Sequence, residues 1–219
     1  MIEQQLVRGI RLRWQIPQAD TSGPKDGSII NNPARASVLR YDGVDGKIVD
    51  LASAPNVHRM GLQVGQAIPH DWLTYSHGHT PRIARNSDIL TGPMSGCWIT
   101  RWTDAGGQKW VGHLGTVESS VAVSTAAKAG FRAAMNQFAK VRGFNPANAW
   151  DPGEILPLMA KLRGDPNKPP SVSIVALVTR TGHFYSLLMF RLGYGDEWVV
   201  GGSKRVHGTN QADLAQRLA

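Results

Sequence analysis

Residues 97–114 read Cys97-Trp98-Ile99-Thr100-Arg101-Trp102-Thr103-Asp104-Ala105-Gly106-Gly107-Gln108-Lys109-Trp110-Val111-Gly112-His113-Leu114. Two apolar, aromatic segments, 97–102 and 108–114, flank a turn rich in Asp and Gly, the pattern of a β-hairpin. Antiparallel pairing about that turn returns His113 to the neighbourhood of Cys97. The same pairing that predicts a strand-rich fold therefore sets a thiol beside an imidazole.

Working upstream, Ile10, Leu12, Trp14 and Ile16 alternate with Arg11, Arg13 and Gln15, the period of a half-buried strand. Residues 17–33, rich in Gly, Pro, Asn, Asp and Ser, read as a loop. Short strands are expected at 36–41 and 47–51. Residues 53–87 have no clean period and carry His58, His70, His77 and His79; they read as mostly irregular, anchored by Trp72 and Leu73. Downstream, Ser124 or Thr125 caps a predicted helix whose Phe131, Ala134, Met135 and Phe138 share one face, with Gly143 as its stop. A second helix is expected over 154–163, a loop over 165–170, strands over 172–178, 184–190 and 197–200, and a last helix over 212–218. No repeat or linker divides the 219 residues. The expectation is one domain over 1–219, with an N-terminal strand and loop over 1–35 and a catalytic core at about 86–202. Its fold class is α+β: an antiparallel β-sandwich-like core with helices packed outside.

The apolar fraction of 42% suffices for a core, and no run approaches the roughly 18 apolar residues of a membrane span. The N-terminal stretch carries charges every few positions and has no apolar signal-peptide core. A single cysteine excludes an intrachain disulfide and any zinc site built from several thiolates. The net charge of +8, from 24 Lys and Arg against 16 Asp and Glu, favours acidic partners. The basic residues are scattered and no nucleic-acid-binding motif accompanies them, so nucleic acid is not an expected partner. Arg8, Arg11 and Arg13 read as a strand's polar face.

A free cysteine usually behaves as a small buried hydrophobe. Three neighbours of Cys97 point further. Gly96 lets a backbone come close to a ligand, and the amides of the Ser95-Gly96-Cys97 turn can converge on a developing oxyanion. His113 supplies the base that a nucleophilic thiol needs. Thr91, just before the turn, can orient that base.

These residues resemble a family. Thr91-Gly92-Pro93-Met94-Ser95-Gly96-Cys97 has the Ser-Gly-Cys core, with Thr six positions upstream, of glutamine deamidases of the Burkholderia lethal factor type. The chemotaxis receptor deamidases share the Thr-to-Cys spacing. Val111-Gly112-His113-Leu114-Gly115-Thr116 is similar to the histidine strand of the cytotoxic necrotizing factor catalytic domain. The resemblance is best over about 86–140 and extends to the order of the Val-rich strands after residue 170. Met94 stands where Leu is usual, and Trp98 follows the cysteine where smaller or charged residues also occur.

The resemblance implies Cys97 as nucleophile, His113 as base and Thr91 as the residue that orients it. The Ser95-Gly96 turn is expected to shape the oxyanion site, and Trp98 and His183 are expected, apart from the resemblance, to border the substrate. The resemblance also implies a toxin or effector made in the bacterial cytoplasm, without a signal peptide, and delivered into a target cell. There it would act as a monomer on a protein such as a small GTPase or a translation factor, with no metal or organic cofactor.

Two rivals stand beside it. Cys97, His183 and Asp196 follow the Cys–His–Asp chain order of papain-like peptidases, and Cys97-Trp98 is similar to their Cys-Trp pair. Those enzymes, however, place the cysteine at a helix N-terminus, whereas Ile99, Thr100 and Trp102 favour a strand. The other rival is a non-catalytic basic domain that binds an acidic protein, with Cys97 in its core. His77 and His79 have metal-like spacing without a third ligand and read as a solvated loop. Trp102, Trp110, Trp150 and Trp198 read as packing residues. Lys204, Arg205 and His207 suit either an acidic substrate or a solvated loop.

Overall fold

Alternation along short strands builds two sheets in the computed structural model, which describes residues 2–22, 25–32, 35–49, 61–163, 169–193 and 195–219. The first sheet is a closed barrel of β1 (Ile10–Arg13), β3 (Arg35–Val44), β4 (Ala67–Trp72), β6 (Ile89–Thr91), β10 (Ser171–Val178), β11 (Phe184–Arg191) and β12 (Glu197–Val206). Around it the order is β1-β12-β11-β10-β6-β4-β3, closing back on β1, and only the β4–β6 pair is parallel. Its lumen is filled by inward residues such as Leu12, Leu39, Ile68, Leu90, Leu177 and Val200, and is joined by Ile2 and Leu6 from the N-terminus. Arg11 and Arg13, on the polar face of β1, pair with Glu197 outside.

The second sheet runs β13-β9-β7-β8-β5-β2. Its strands are β2 (Ile29–Asn31), β5 (Thr80–Ala84), β7 (Trp98–Thr103), β8 (Lys109–Leu114), β9 (Ala139–Phe144) and β13 (Thr209–Asn210). One face, with Ile83, Ile99, Val111 and Phe144, packs on the outer face of the barrel at Ile89, Ala176 and Val178. Along β10 the two-residue period thus sends Val175 and Leu177 into the lumen and Ala176 and Val178 into the layer between sheets. The other face carries Trp98, Trp102 and Leu114. It is covered by Phe131 of α1 (Val121–Ala134) and by Leu214 of α3 (Gln211–Arg217). A further helix, α2 (Pro152–Leu162), seats Leu158 and Leu162 on Leu188, Phe190 and Val199 outside the barrel. The mixed α+β class with a β-rich core and outer helices is as expected. The two stacked sheets take the form of a closed barrel with a second sheet laid against it.

The hairpin forms in the expected register, Ile99 opposite His113 and Trp102 opposite Trp110. Several local expectations are corrected. Residues 47–49 form a turn rather than a strand, because Asp45 caps it through its side chain to Lys47 N and its carbonyl to Ile48 and Val49; residues 50 and 51 lie outside the described ones, as does His58. The described part of 53–87 contains β4 and β5. In β4 the inward positions are Ile68, His70 and Trp72, and a buried histidine broke the apolar pattern that would have announced the strand. The 17–33 loop contains β2, paired in parallel with β5. The first helix begins earlier, with Ser120 as its cap, and stops near Ala134. Residues 139–144 form a strand paired with β7. Phe138 matches the helical period because it still stacks on Trp102, at 5.1 Å, after the chain has left the helix. Most of 165–170 is outside the described residues.

Candidate active site

The layer between barrel and sheet places the thiol. Cys97 directly precedes β7, and Met94, three residues before it, is anchored by its amide to the Ile174 carbonyl of β10 at 2.8 Å. Ser95 and Gly96 between them are exposed, and a Cβ on Gly96 would meet open space. Asn145 Nδ2 donates to the Gly96 carbonyl at 3.3 Å. The turn is thus held at both ends, with Ser95 and Gly96 exposed between them. Cys97, Ile99 and Arg101 lie on the barrel-facing side of β7, two residues apart. Ile99 is opposite His113, which makes Cys97 and His113 diagonal neighbours on one face.

His113 is fully buried. Its Nδ1 is 2.7 Å from Thr91 Oγ1, which reaches across from the barrel strand β6. The second sheet supplies the imidazole and the barrel its anchor. Nε2 is buried and has no hydrogen-bond partner, a costly arrangement unless another group comes to it. When Nδ1–H donates to Thr91, Nε2 holds a free lone pair. Burial pushes the His113 pKa down to about 3, so the ring is neutral at physiological pH.

Cys97 is 5% exposed, and burial pushes its thiol up, opposed by Thr116. Thr116 Oγ1 donates to Sγ at 3.4 Å, and the Thr116 carbonyl is 3.6 Å from it as acceptor of the S–H. The same carbonyl accepts from Tyr75 Oη at 2.6 Å, and the Tyr75 ring lies 5.1 Å from that of His113. At rest the pair is a neutral thiol beside a neutral imidazole. A cleft of about 440 Å³ opens over Cys97, lined also by Tyr75, His77, Ser95, Thr116 and Glu118.

Tyr75 had no signal in residue spacing, and the spacing of His77 to His79 pointed to a solvated loop instead. Tyr75 and His77 arrive through Gly115, where a Cβ would lie 1.8 Å from the Ser76 carbonyl. Only glycine lets the 76–79 segment dock there, and Gly115 N–H donates to the His79 carbonyl while its own carbonyl accepts from Gly78. The expected solvated loop is corrected accordingly: His79 is buried, with Nδ1 within 3.1 Å of Ser28 Oγ and 3.3 Å of Asp26. Among the described residues no group of three His, Cys, Asp or Glu could hold a metal ion.

Other expected neighbours are elsewhere. Trp98 points to the helix-covered face, away from Cys97, because adjacent strand residues alternate sides. His183 precedes β11 at the end that pairs with Val206, and its Nδ1 contacts Arg205 at 2.9 Å. Phe184, the next residue, lies under Arg101, four residues along β7 from Cys97. Asp196 sits beyond the opposite end of β11, where Arg191 pairs with Trp198. The structure therefore sets Thr91 on His113 and Cys97 diagonal to His113 on the same face, and leaves His183 and Asp196 a strand's length apart. Lys204 is held by Glu154 and the Ala149 carbonyl, and it lies over the Trp150 ring. Among the described residues no helix is long and apolar enough to cross a membrane. No family model, no curated protein and no solved structure matches the chain.

Proposed function

We propose that this protein is a thiol-dependent deamidase that converts a glutamine of a protein substrate to glutamate. The observation that carries the reading is the Thr91–His113 contact at 2.7 Å, with the other ring nitrogen unpartnered in the layer that also holds Cys97. A buried imidazole fixed at one nitrogen and free at the other is oriented to accept a proton there, once a bound substrate alters the burial that lowers its basicity.

In the reaction Sγ turns from the Thr116 carbonyl, and His113 Nε2 takes the thiol proton as Sγ attacks the carboxamide carbon. The oxyanion so formed is held by the amides of the Ser95–Cys97 turn. His113 then gives its proton to the leaving nitrogen, ammonia departs, and a thioester remains. Water, deprotonated by the same nitrogen, attacks the thioester; the collapse yields glutamate and restores the thiol. Tyr75, through the Thr116 carbonyl, keeps that acceptor in place.

The peptidase alternative loses its support, since His183 and Asp196 lie at opposite ends of β11. The non-catalytic alternative draws on the low exposure of Cys97 and the +8 charge. It predicts a thiol inert to iodoacetamide at neutral pH, whereas the deamidase reading predicts alkylation that His113→Ala slows. Cys97→Ala and His113→Ala each remove deamidation while far-UV circular dichroism stays that of the wild type. Substantial residual turnover in either variant contradicts the assignment.

A further inference from the structure

At the other end of the same inter-sheet layer, three arginines converge without a carboxylate. Arg101 on β7 stands directly opposite Arg142 on β9, on the barrel-facing side. Arg85, just past β5, joins them. A point 2.1 Å from Arg85 Nη1 and 3.4 Å from Arg101 Nη1 lies just off Gly182, so both guanidinium groups flank that one glycine. The Phe184 ring forms the floor, with the Arg101 guanidinium 5.5 Å from its centroid. Arg142 donates through Nη1 to the Gly208 carbonyl at 3.2 Å.

Nε of Arg85 and Nε of Arg101 are both buried and without a hydrogen-bond partner. No carboxylate among the described residues pairs with Arg85, Arg101 or Arg142. Like charges directly opposite on adjacent strands repel, and half-buried guanidinium groups lose hydration. Burial and the adjacent cation each hold the Arg85 and Arg101 pKa values below the usual arginine value. Nothing the proposed reaction uses accounts for this cluster, since Arg101 is four residues, roughly 13 Å, along β7 from Cys97.

We infer that Arg85, Arg101 and Arg142 form a binding site for a phosphate group. A phosphate dianion presents enough oxygens to accept from two guanidinium forks at once and carries the charge to neutralise a pair of them. A single carboxylate neutralises only one. The glycine at 182 keeps the mouth open, because any side chain there would run into Arg85 Nη1. The site is independent of the thiol chemistry.

The test is thermal unfolding of the full chain at constant ionic strength, with potassium chloride replaced stepwise by potassium phosphate or by potassium acetate. Phosphate gives a saturable rise in melting temperature, and acetate gives none. Arg101→Gln and Arg85→Gln each weaken the apparent phosphate affinity by about tenfold or more. In phosphate-free buffer neither melts below the wild type, because each removes a repelled charge. Cys97→Ala keeps the full phosphate response, which separates this site from the deamidase reading. The assignment is overturned by the absence of a saturable rise, by an equal response to acetate, or by variants that keep the wild-type affinity. Variants that melt lower without phosphate also count against it, since they would reveal a stabilising partner within the chain.

Discussion

Replacing Thr91 with valine keeps the shape of the barrel wall and removes the one partner of His113 Nδ1. The imidazole then has two unsatisfied buried nitrogens, at a cost of about 1–3 kcal/mol in stability. Its ring is also free to rotate, so kcat falls by more than KM rises. Thr91→Ser restores the hydroxyl and recovers most of both, which chemical denaturation and steady-state turnover check together. Thr116→Val removes the hydroxyl that donates to Sγ. That hydrogen bond lowers the Cys97 pKa against burial, so its loss raises the pKa, and iodoacetamide alkylation at neutral pH slows relative to the wild type. An unchanged alkylation rate would show that Thr116 does not tune the thiol. Cys97 and His113 were legible as neighbours in the sequence because one hairpin relates them, and Thr91 was legible as a candidate because it lies just before the turn that leads into Cys97. Tyr75 was not, because it comes from a different segment and leaves no periodic trace; Thr116, three residues after His113, lay within the 111–116 histidine stretch with no role assigned to it.

The element that carries Tyr75 is the 73–79 segment, and its dock is Gly115, the residue before Thr116. Gly115→Ala puts a methyl within 1.8 Å of the Ser76 carbonyl, so the segment must move, taking Tyr75 and His77 with it. The expected outcome is a folded protein with kcat/KM reduced by about tenfold or more. Wild-type turnover in this variant would remove Tyr75 and His77 from the account. By contrast, Asp151→Ala breaks the capping box with Glu154 at the start of α2, which packs outside the barrel on Leu188, Phe190 and Val199 and supplies no group to the thiol site. It lowers stability by about 1 kcal/mol and leaves turnover unchanged. The central hairpin, the three C-terminal strands and α2 were readable from local pattern and caps. Strand β9 was not, since Phe138 prolongs an apolar helical stripe into a segment that sheet pairing pulls straight. Strand β4 was hidden by His70, an inward position filled with a polar ring.

That histidine has a consequence for the whole molecule. His70 lies in the barrel lumen against the Trp14 ring, and burial holds its pKa down to about 4; His113, between the two sheets, is held down to about 3. The unfolded chain binds a proton at each near pH 6.5, while the folded chain does not. Stability is therefore full above about pH 6.5 and declines as the pH falls towards 4 and 3. His70 alone accounts for about 3 kcal/mol of that loss at pH 4. Denaturant unfolding from pH 7 to pH 4 should show the decline, and His70→Phe should reduce it. The mixed fold class followed from counting strands and helices. Barrel closure did not, because it depends on β4 and β6 completing the ring, and neither was evident from pattern. With closure comes the packing of barrel against sheet that brings Thr91 to His113. The central claim is that this junction performs glutamine deamidation, and peptide mass spectrometry of lysate proteins treated with wild type or with Cys97→Ser tests it most directly. A gain of about one mass unit on specific glutamines with the wild type alone is the expected result; identical glutamine masses after both treatments would rule deamidation out.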